Sequence, residues 1–249
     1  MKKTLWITIF LVLGLSLPPF SFGDWFLDLE GGGVWCGYND VRIPADTGTD
    51  FSLCDDLSLD SKVVFRLRLC YRFHPKHSLS VLYAPLSLNA EGSIGKDVFF
   101  NGVTFPAEMP LQALFRFNSY RLTYRFDFLN SRRWRVGVGL TVKIRDAEIR
   151  VENGEKNSSK TDLGVVPLLN LKVEWLFSRN LSLLLEGDAL ASPGGQGRAE
   201  DILLAFQYHP GERVALRFGY RILEGGADVE SVYNFALLHY IVAGATLSF

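Results

Sequence analysis

Cysteine is scarce, with three in 249 residues, and histidine nearly as rare, with four. None of them has a spacing that zinc coordination requires, so neither a metal nor another cofactor is expected. The 26 Lys and Arg stand against 27 Asp and Glu without a basic face or tail, which argues against nucleic acid as a partner. Beyond residue 23 there is no apolar run near the roughly 20 residues with which a helix crosses a bilayer. A soluble β protein or a membrane barrel remains, and the length allows one domain. Two short signals carry nothing. Gly194-Gly195-Gln196-Gly197 lacks the lysine and following helix of a phosphate cradle, and Asn157-Ser158-Ser159 is a glycosylation acceptor only in a eukaryotic secretory setting.

The start of the chain is different in kind. Met1-Lys2-Lys3 is a short basic segment, Leu5 to Leu17 is apolar, and Ser21-Phe22-Gly23 places small residues where signal peptidase acts. Residues 1-23 are expected to be a cleaved signal peptide and 24-249 the mature domain. No cysteine sits at the cleavage point, which argues against a lipoprotein. Loss of Lys2 and Lys3 leaves 26 − 2 = 24 basic residues against 27 acidic ones.

From Asp24 onward the dominant signal is a period of two, the mark of a strand with unlike faces. Ten segments show it: Trp25 to Tyr38, Val64 to Phe73, Leu79 to Leu88, Tyr120 to Phe128, Trp134 to Arg145, Val165 to Phe177, Leu181 to Ala191, Ile202 to Tyr208, Val214 to Ile222 and Val232 to Phe249. Eight or twelve strands are the alternatives. In the second, Phe65, Leu67, Leu69, Tyr71 and Phe73 oppose Arg66, Arg68, Cys70 and Arg72. Long connections, expected to begin near Asn39, Asn89, Asp146, Ser192 and Leu223, alternate with tight links at His74-Pro75-Lys76-His77, Asn130-Ser131-Arg132, Ser178-Arg179-Asn180 and His209-Pro210-Gly211-Glu212. Aromatic residues gather beside the tight links: Tyr71, Phe73, Phe126, Phe128, Trp134, Trp175, Phe177, Tyr208 and Phe249 fall at one level. Trp35, Phe115, Phe117, Tyr220, Tyr233 and Phe235 form a looser set at the other. The phase slips between Phe117 and Tyr120 and near Asp146, which reads as bulges or strand ends.

These strands, the loop asymmetry, the signal peptide and the final aromatic residue together resemble small bacterial outer-membrane β-barrel proteins. The resemblance implies an all-β, antiparallel transmembrane β-barrel of about ten strands, with short periplasmic turns and longer extracellular loops. It also implies contact with outer-membrane lipid and lipopolysaccharide, and with the barrel-assembly machinery through the C-terminal strand.

With apolar faces on lipid, the charged faces enclose a narrow lumen. Arg66, Arg68, Arg121, Arg125, Arg135, Arg217 and Arg221 then oppose Glu174, Glu186, Asp188 and Asp201, and enclosed charges need partners. A packed core in a structural or surface-interaction protein is the first reading. A constricted anion-favouring channel is the second, because inward basic residues outnumber acidic ones in this count. A surface hydrolase of omptin or lipid-modifying type needs a histidine at the outer mouth, and His74, His77, His209 and His239 fall elsewhere, so no catalytic residue is assigned. In an oxidising compartment, a Cys36–Cys54 bridge closing the first long loop is a reasonable pairing, with Cys70 left over. Val98 to Phe105 around Asn101-Gly102 reads as a hairpin, either standing above the membrane or folding into the mouth. In the first case Phe99, Phe100 and Phe105 would be exposed for a partner.

Overall fold

The computed structural model of the protein describes residues 24–191 and 194–249, so the expected signal peptide lies outside the described residues. Fifteen strands follow in order: β1 (Asp24–Arg42), β2 (Phe51–Ser52), β3 (Ser58–Leu59), β4 (Lys62–His74), β5 (His77–Ala84), β6 (Ser87–Ser93), β7 (Val98–Phe100), β8 (Val103–Phe105), β9 (Pro110–Asn130), β10 (Trp134–Glu152), β11 (Asn157–Leu176), β12 (Leu181–Ala191), β13 (Gly197–Tyr208), β14 (Val214–Val229) and β15 (Val232–Ser248).

Ten antiparallel staves close into a ring. They are β1, β4, the broken strand β5–β6, and β9 through β15, with β15 returning to β1 from Phe26↔Ser248 to Arg42↔Tyr233. Closure leaves no sheet edge around the ring's lower half, so ladder bonds satisfy the backbone without water. β5 and β6 both lie on β9 and are separated only at Pro85-Leu86, where proline cannot supply a ladder donor. A Cβ at Gly32 would strike the Ile241 carbonyl, which accounts for glycine where β1 seals against β15.

The strands outrun the membrane requirement. A tilted strand crosses hydrocarbon in about 9–11 residues, whereas β9 has 21, β10 has 19 and β11 has 20. Two of the expected long loops are therefore strand instead. The β10–β11 ladder runs without a break from Trp134↔Trp175 past Asp146 to Glu152↔Asn157, and β14–β15 continues beyond Leu223 to Val229↔Val232. The connection at Ser192 is short, since β12 ends at Ala191 and β13 begins at Gly197.

The apparent phase slips have a single cause, and no residue is inserted there. β9 and β10 pair evenly from Gly137↔Asp127 to Glu152↔Gln112. What changes is the polarity of each face. In the lower half, Leu140, Val142 and Ile144 point outward and Thr141 and Lys143 point in. In the upper half, Ile149 and Val151 are the buried inward residues, and Asp146, Glu148, Arg150 and Glu152 take the outward positions. On β9, the charged inward run of Arg125, Thr123 and Arg121 gives way to Phe117, Phe115, Ala113 and Leu111. The lower half has lipid outside and polar groups within, whereas the upper half has water outside and must bury apolar groups as a soluble protein does.

A cap fills the upper half. Its core includes Val41, Ile43, Phe51, Leu53, Leu88, Val98, Phe100, Phe105 and Val151. β7 and β8 form the hairpin, turning at Asn101 and Gly102, whose φ values of 45° and 87° suit a primed turn. Phe100 and Phe105 are 0% exposed, and Phe100 meets the Phe51 ring edge-on at 6.2 Å, so the hairpin folds into the mouth and only Phe99, half-buried, keeps part of an exposed surface. The tip is tied down on both sides. The Asn101 N–H donates to the Ile43 carbonyl at 2.8 Å and its amide to the Ser159 carbonyl at 2.8 Å. Cys36 and Cys54 are joined by a disulfide across 18 residues, fastening the first loop to β1, and Cys70 is a free thiol. Alkylation of the unreduced protein followed by mass spectrometry is expected to label Cys70 alone. Label on Cys36 and Cys54 would contradict the fold of the first loop.

Candidate functional site

The lumen of the lower half is crossed by ion pairs, and parity alone determines which residues take part. On each stave every second side chain points inward, so charges at alternate positions of neighbouring staves meet at the same height. At the centre, Asp201 of β13 accepts from Arg121 of β9 at 2.5 Å, from Arg66 of β4 at 3.0 Å and from Arg221 of β14. Arg121 also donates to Asp188 at 2.7 Å, and Asp188 is further held by Thr141 and Asn170, each at 2.8 Å. Glu30 of β1 takes Arg221 at 2.9 Å and Arg217 at 2.9 Å, and Arg217 reaches Asp28 at 2.6 Å. One layer lower, Arg68 donates to Glu186 at 2.6 Å and Arg125 to the same carboxylate at 3.3 Å. At the turn end Arg135 meets Glu174 at 3.3 Å, beside Ser182 and His209.

All eleven lumen charges named from the sequence thus lie inside and paired, and the structure adds Asp28 and Glu30. Strand parity from Leu27 and Leu29 places both inward, but the run Gly31-Gly32-Gly33 thins the alternation of β1 there. Their inclusion changes the charge argument. Seven arginines, Lys143 and Lys172 face Asp28, Glu30, Asp127, Glu174, Glu186, Asp188 and Asp201, so the lumen keeps a basic excess, smaller in proportion than in the first count. The centre is closed to solvent, with Arg121 4% and Asp201 2% exposed.

Outside, the lower half is an apolar belt with aromatic borders. At the turn end Trp25–Tyr71 ring centroids lie 4.7 Å apart, Tyr71–Phe73 6.3 Å, Trp134–Trp175 6.0 Å and Trp175–Phe177 5.6 Å. Phe126 packs on His77, while Phe128, Tyr208 and Phe249 are exposed. Phe249 and Trp25 exchange backbone hydrogen bonds of 3.0 and 3.2 Å. The upper border is Trp35, Tyr220, Tyr83 and Tyr120, and His239 joins it, stacking on Trp35 and bonding the Tyr220 hydroxyl at 2.5 Å. That partner explains an imidazole on the outward face. Phe115 and Phe117 do not belong to this border, because they lie on the inward side of β9 and face the mouth. Tyr233 and Phe235 sit higher, under the guanidinium groups of Arg42 and Arg198.

Among solved structures, the outer membrane protease OmpT from Escherichia coli superposes with a TM-score of 0.55 at 10% identity, over 94% of this chain and 99% of that one. An outer membrane channel of Pseudomonas putida F1 gives 0.46 at 10% identity, over 94% and 100%, and Ail of Yersinia pestis, solved with sucrose octasulfate, gives 0.39 at 11%, over 92% and 99%. No protein-family model and no curated protein matches the sequence. The closed ring, with apolar side chains outward between two aromatic borders and ion pairs inward, has only hydrocarbon as a suitable solvent for its exterior.

The chain has the fold of an outer-membrane β-barrel.

At the rim of this barrel four carboxylates lie beside arginines. Arg116 bonds Glu148 at 2.9 Å and Asp146 at 3.3 Å, Arg145 bonds Asp162, and Arg198 grips Glu224 at 2.6 Å. Burial pushes the Glu224 carboxyl up, but hydrogen bonds from Arg198 and from Tyr38 at 2.5 Å outweigh it and hold the group below its ordinary value. Burial, reinforced by the bond to Glu224, raises the Tyr38 hydroxyl.

Proposed function

We propose that this barrel is a non-conducting structural or surface-interaction protein, presenting a rigid capped head outside the cell. The observation that carries this reading is the central layer, where Arg66, Arg121, Arg217 and Arg221 interlock with Glu30, Asp188 and Asp201 across the lumen. The interlocking of that layer across the lumen favours occlusion over anion passage. The protein is proposed to be non-catalytic, since Asp146, Glu148, Asp162 and Glu224 are held by arginines and His239 faces lipid. Lipopolysaccharide around the upper border, and the barrel-assembly machinery at β15 with its exposed Phe249, are the partners this reading assigns.

Planar-bilayer recording tests it. The unaltered protein is expected to pass no steady current, and the paired change Arg121→Ala with Asp201→Ala to admit one by removing the middle of the plug. A steady current through the unaltered protein that vanished on changing Arg121 would establish a channel in its place.

A further inference from the structure

Lys143 is the one inward charge of β10 left out of this network. Its side chain is 2% exposed, yet among the described residues it forms neither an ion pair nor a hydrogen bond. Its ammonium lies 4.5 Å from the centre of the Phe117 ring and lines a cavity of about 660 Å³ between the ion-pair layer and the cap. That volume falls within the ~300–1,000 Å³ of small-molecule sites. The walls are largely apolar, drawn from Phe115, Phe117, Ile149, Leu190, Leu223 and Leu238. The arginines at its edge are already matched, Arg116 to Glu148, Arg145 to Asp162 and Arg198 to Glu224, while Lys160 also lines it without an ion pair among the described residues but is not buried as Lys143 is. An enclosed ammonium with only an aromatic face for company is poorly compensated, and an anion is the partner that would complete it.

The cavity also has a way out through the wall. β11 pairs with β12 only up to Leu169↔Ala189, while its other edge stays on β10 as far as Asn157. Among the described residues β11 has no ladder partner on the β12 side from Leu168 upward, and Pro167, which offers no N–H for another strand to use, lies in that stretch. Val166, Leu190 and Gly197, which flank this slot, line the cavity. Just outside stand Leu163 and Val165, 75% and 69% exposed, at the height of Asp146 and Ile144, where the apolar belt ends. The slot therefore meets the outer edge of the lipid.

We propose that the cavity binds a single-chain amphiphile with an anionic head, carboxylate or sulfate, admitted between β11 and the β12–β13 hairpin. The head pairs with Lys143, and the chain lies along Val166 and Leu190 toward the slot. Occupancy of this site is compatible with a closed lumen, because it lies above the ion-pair layer.

The test uses the full barrel in phosphatidylcholine nanodiscs and fluorescent dansyl-undecanoate, with its methyl ester as the neutral probe. Saturable binding of the acid is expected, weakened about tenfold or more by Lys143→Met, the loss of one hydrogen bond to a charged group. The ester is expected to bind weakly and equally to both. Ala147→Phe narrows the same cavity with Lys143 in place, and in a barrel that still shifts on unheated gels it should weaken both probes. Laurate carried in the bilayer should displace the acid, and butyrate from water should not. A titration that fails to saturate, Lys143→Met or Ala147→Phe barrels that bind as the unaltered protein does, or displacement by butyrate as effective as by laurate would each overturn the assignment.

Discussion

Asp201→Ala is expected to cost the barrel about 3–5 kcal/mol, the range for removing one partner from a buried ion pair. The magnitude follows from what the change leaves behind. Asp201 is 2% exposed and accepts from Arg66, Arg121 and Arg221, and only Glu30 and Asp188 remain to serve those three guanidinium groups. Uncompensated cations in a dry interior lose hydration without regaining attraction, so the substitution should hurt far more than the net worth of the pairs it removes. Asp201→Asn, which keeps the shape and an acceptor oxygen, should cost less. Urea unfolding of the refolded barrel, followed by tryptophan fluorescence, measures both. A change within experimental error for Asp201→Ala would mean that water, and not protein, solvates this layer.

Phe100→Ala is the second large effect, and it should act on a different half of the molecule. The ring is fully buried against Phe51 among loop and strand residues of the cap, and truncating a buried phenylalanine typically costs about 3–5 kcal/mol. The cluster runs on into the staves through Leu184, Leu203 and Ala205, but Phe100 and Phe51 sit in its cap end. The expected outcome is therefore selective. Limited proteolysis should cut residues 43–61 and 94–109 quickly, while the unheated gel shift that reports the closed ring persists. Loss of the gel shift together with the cap would show that the two halves fold as one unit. Reducing the Cys36–Cys54 bridge should deepen the proteolytic effect, since the bridge restrains the same first loop.

The lipid-spanning half was legible in the sequence, and the reasons are local. On β4, Phe65, Leu67 and Leu69 alternate with Arg66, Arg68 and Cys70, so hydrocarbon and lumen each select one residue class and the pattern has maximal contrast. The tight links at Pro75 and Pro210 mark the turn end for the same reason. The upper half was misread because the rule linking polarity to direction reverses where lipid gives way to water. Phe115 and Phe117 looked like lipid-facing aromatics displaced by a bulge, whereas they keep perfect register and point inward. Asp146 and Leu223 looked like the start of loops because charge and glycine follow them, yet the ladders go on. Parity along β10 sets Lys143 inward with Thr141. Its isolation does not follow from parity, since that depends on which carboxylates the other nine staves bring to its height.

The reversal of polarity along β9 and β10 also constrains how such a protein can change length. One extra residue near Ile144 would leave the span below in place and turn everything above it inside out, setting Ile149 and Val151 against water and Asp146 and Glu148 into the cap. Two extra residues would restore the facing and merely raise the head by one pleat. Descendants of this chain can therefore grow or shrink at that boundary by even steps without further change, whereas an odd step needs a bulge to absorb it, as Gly37 is absorbed between Cys36 and Tyr38 of β1.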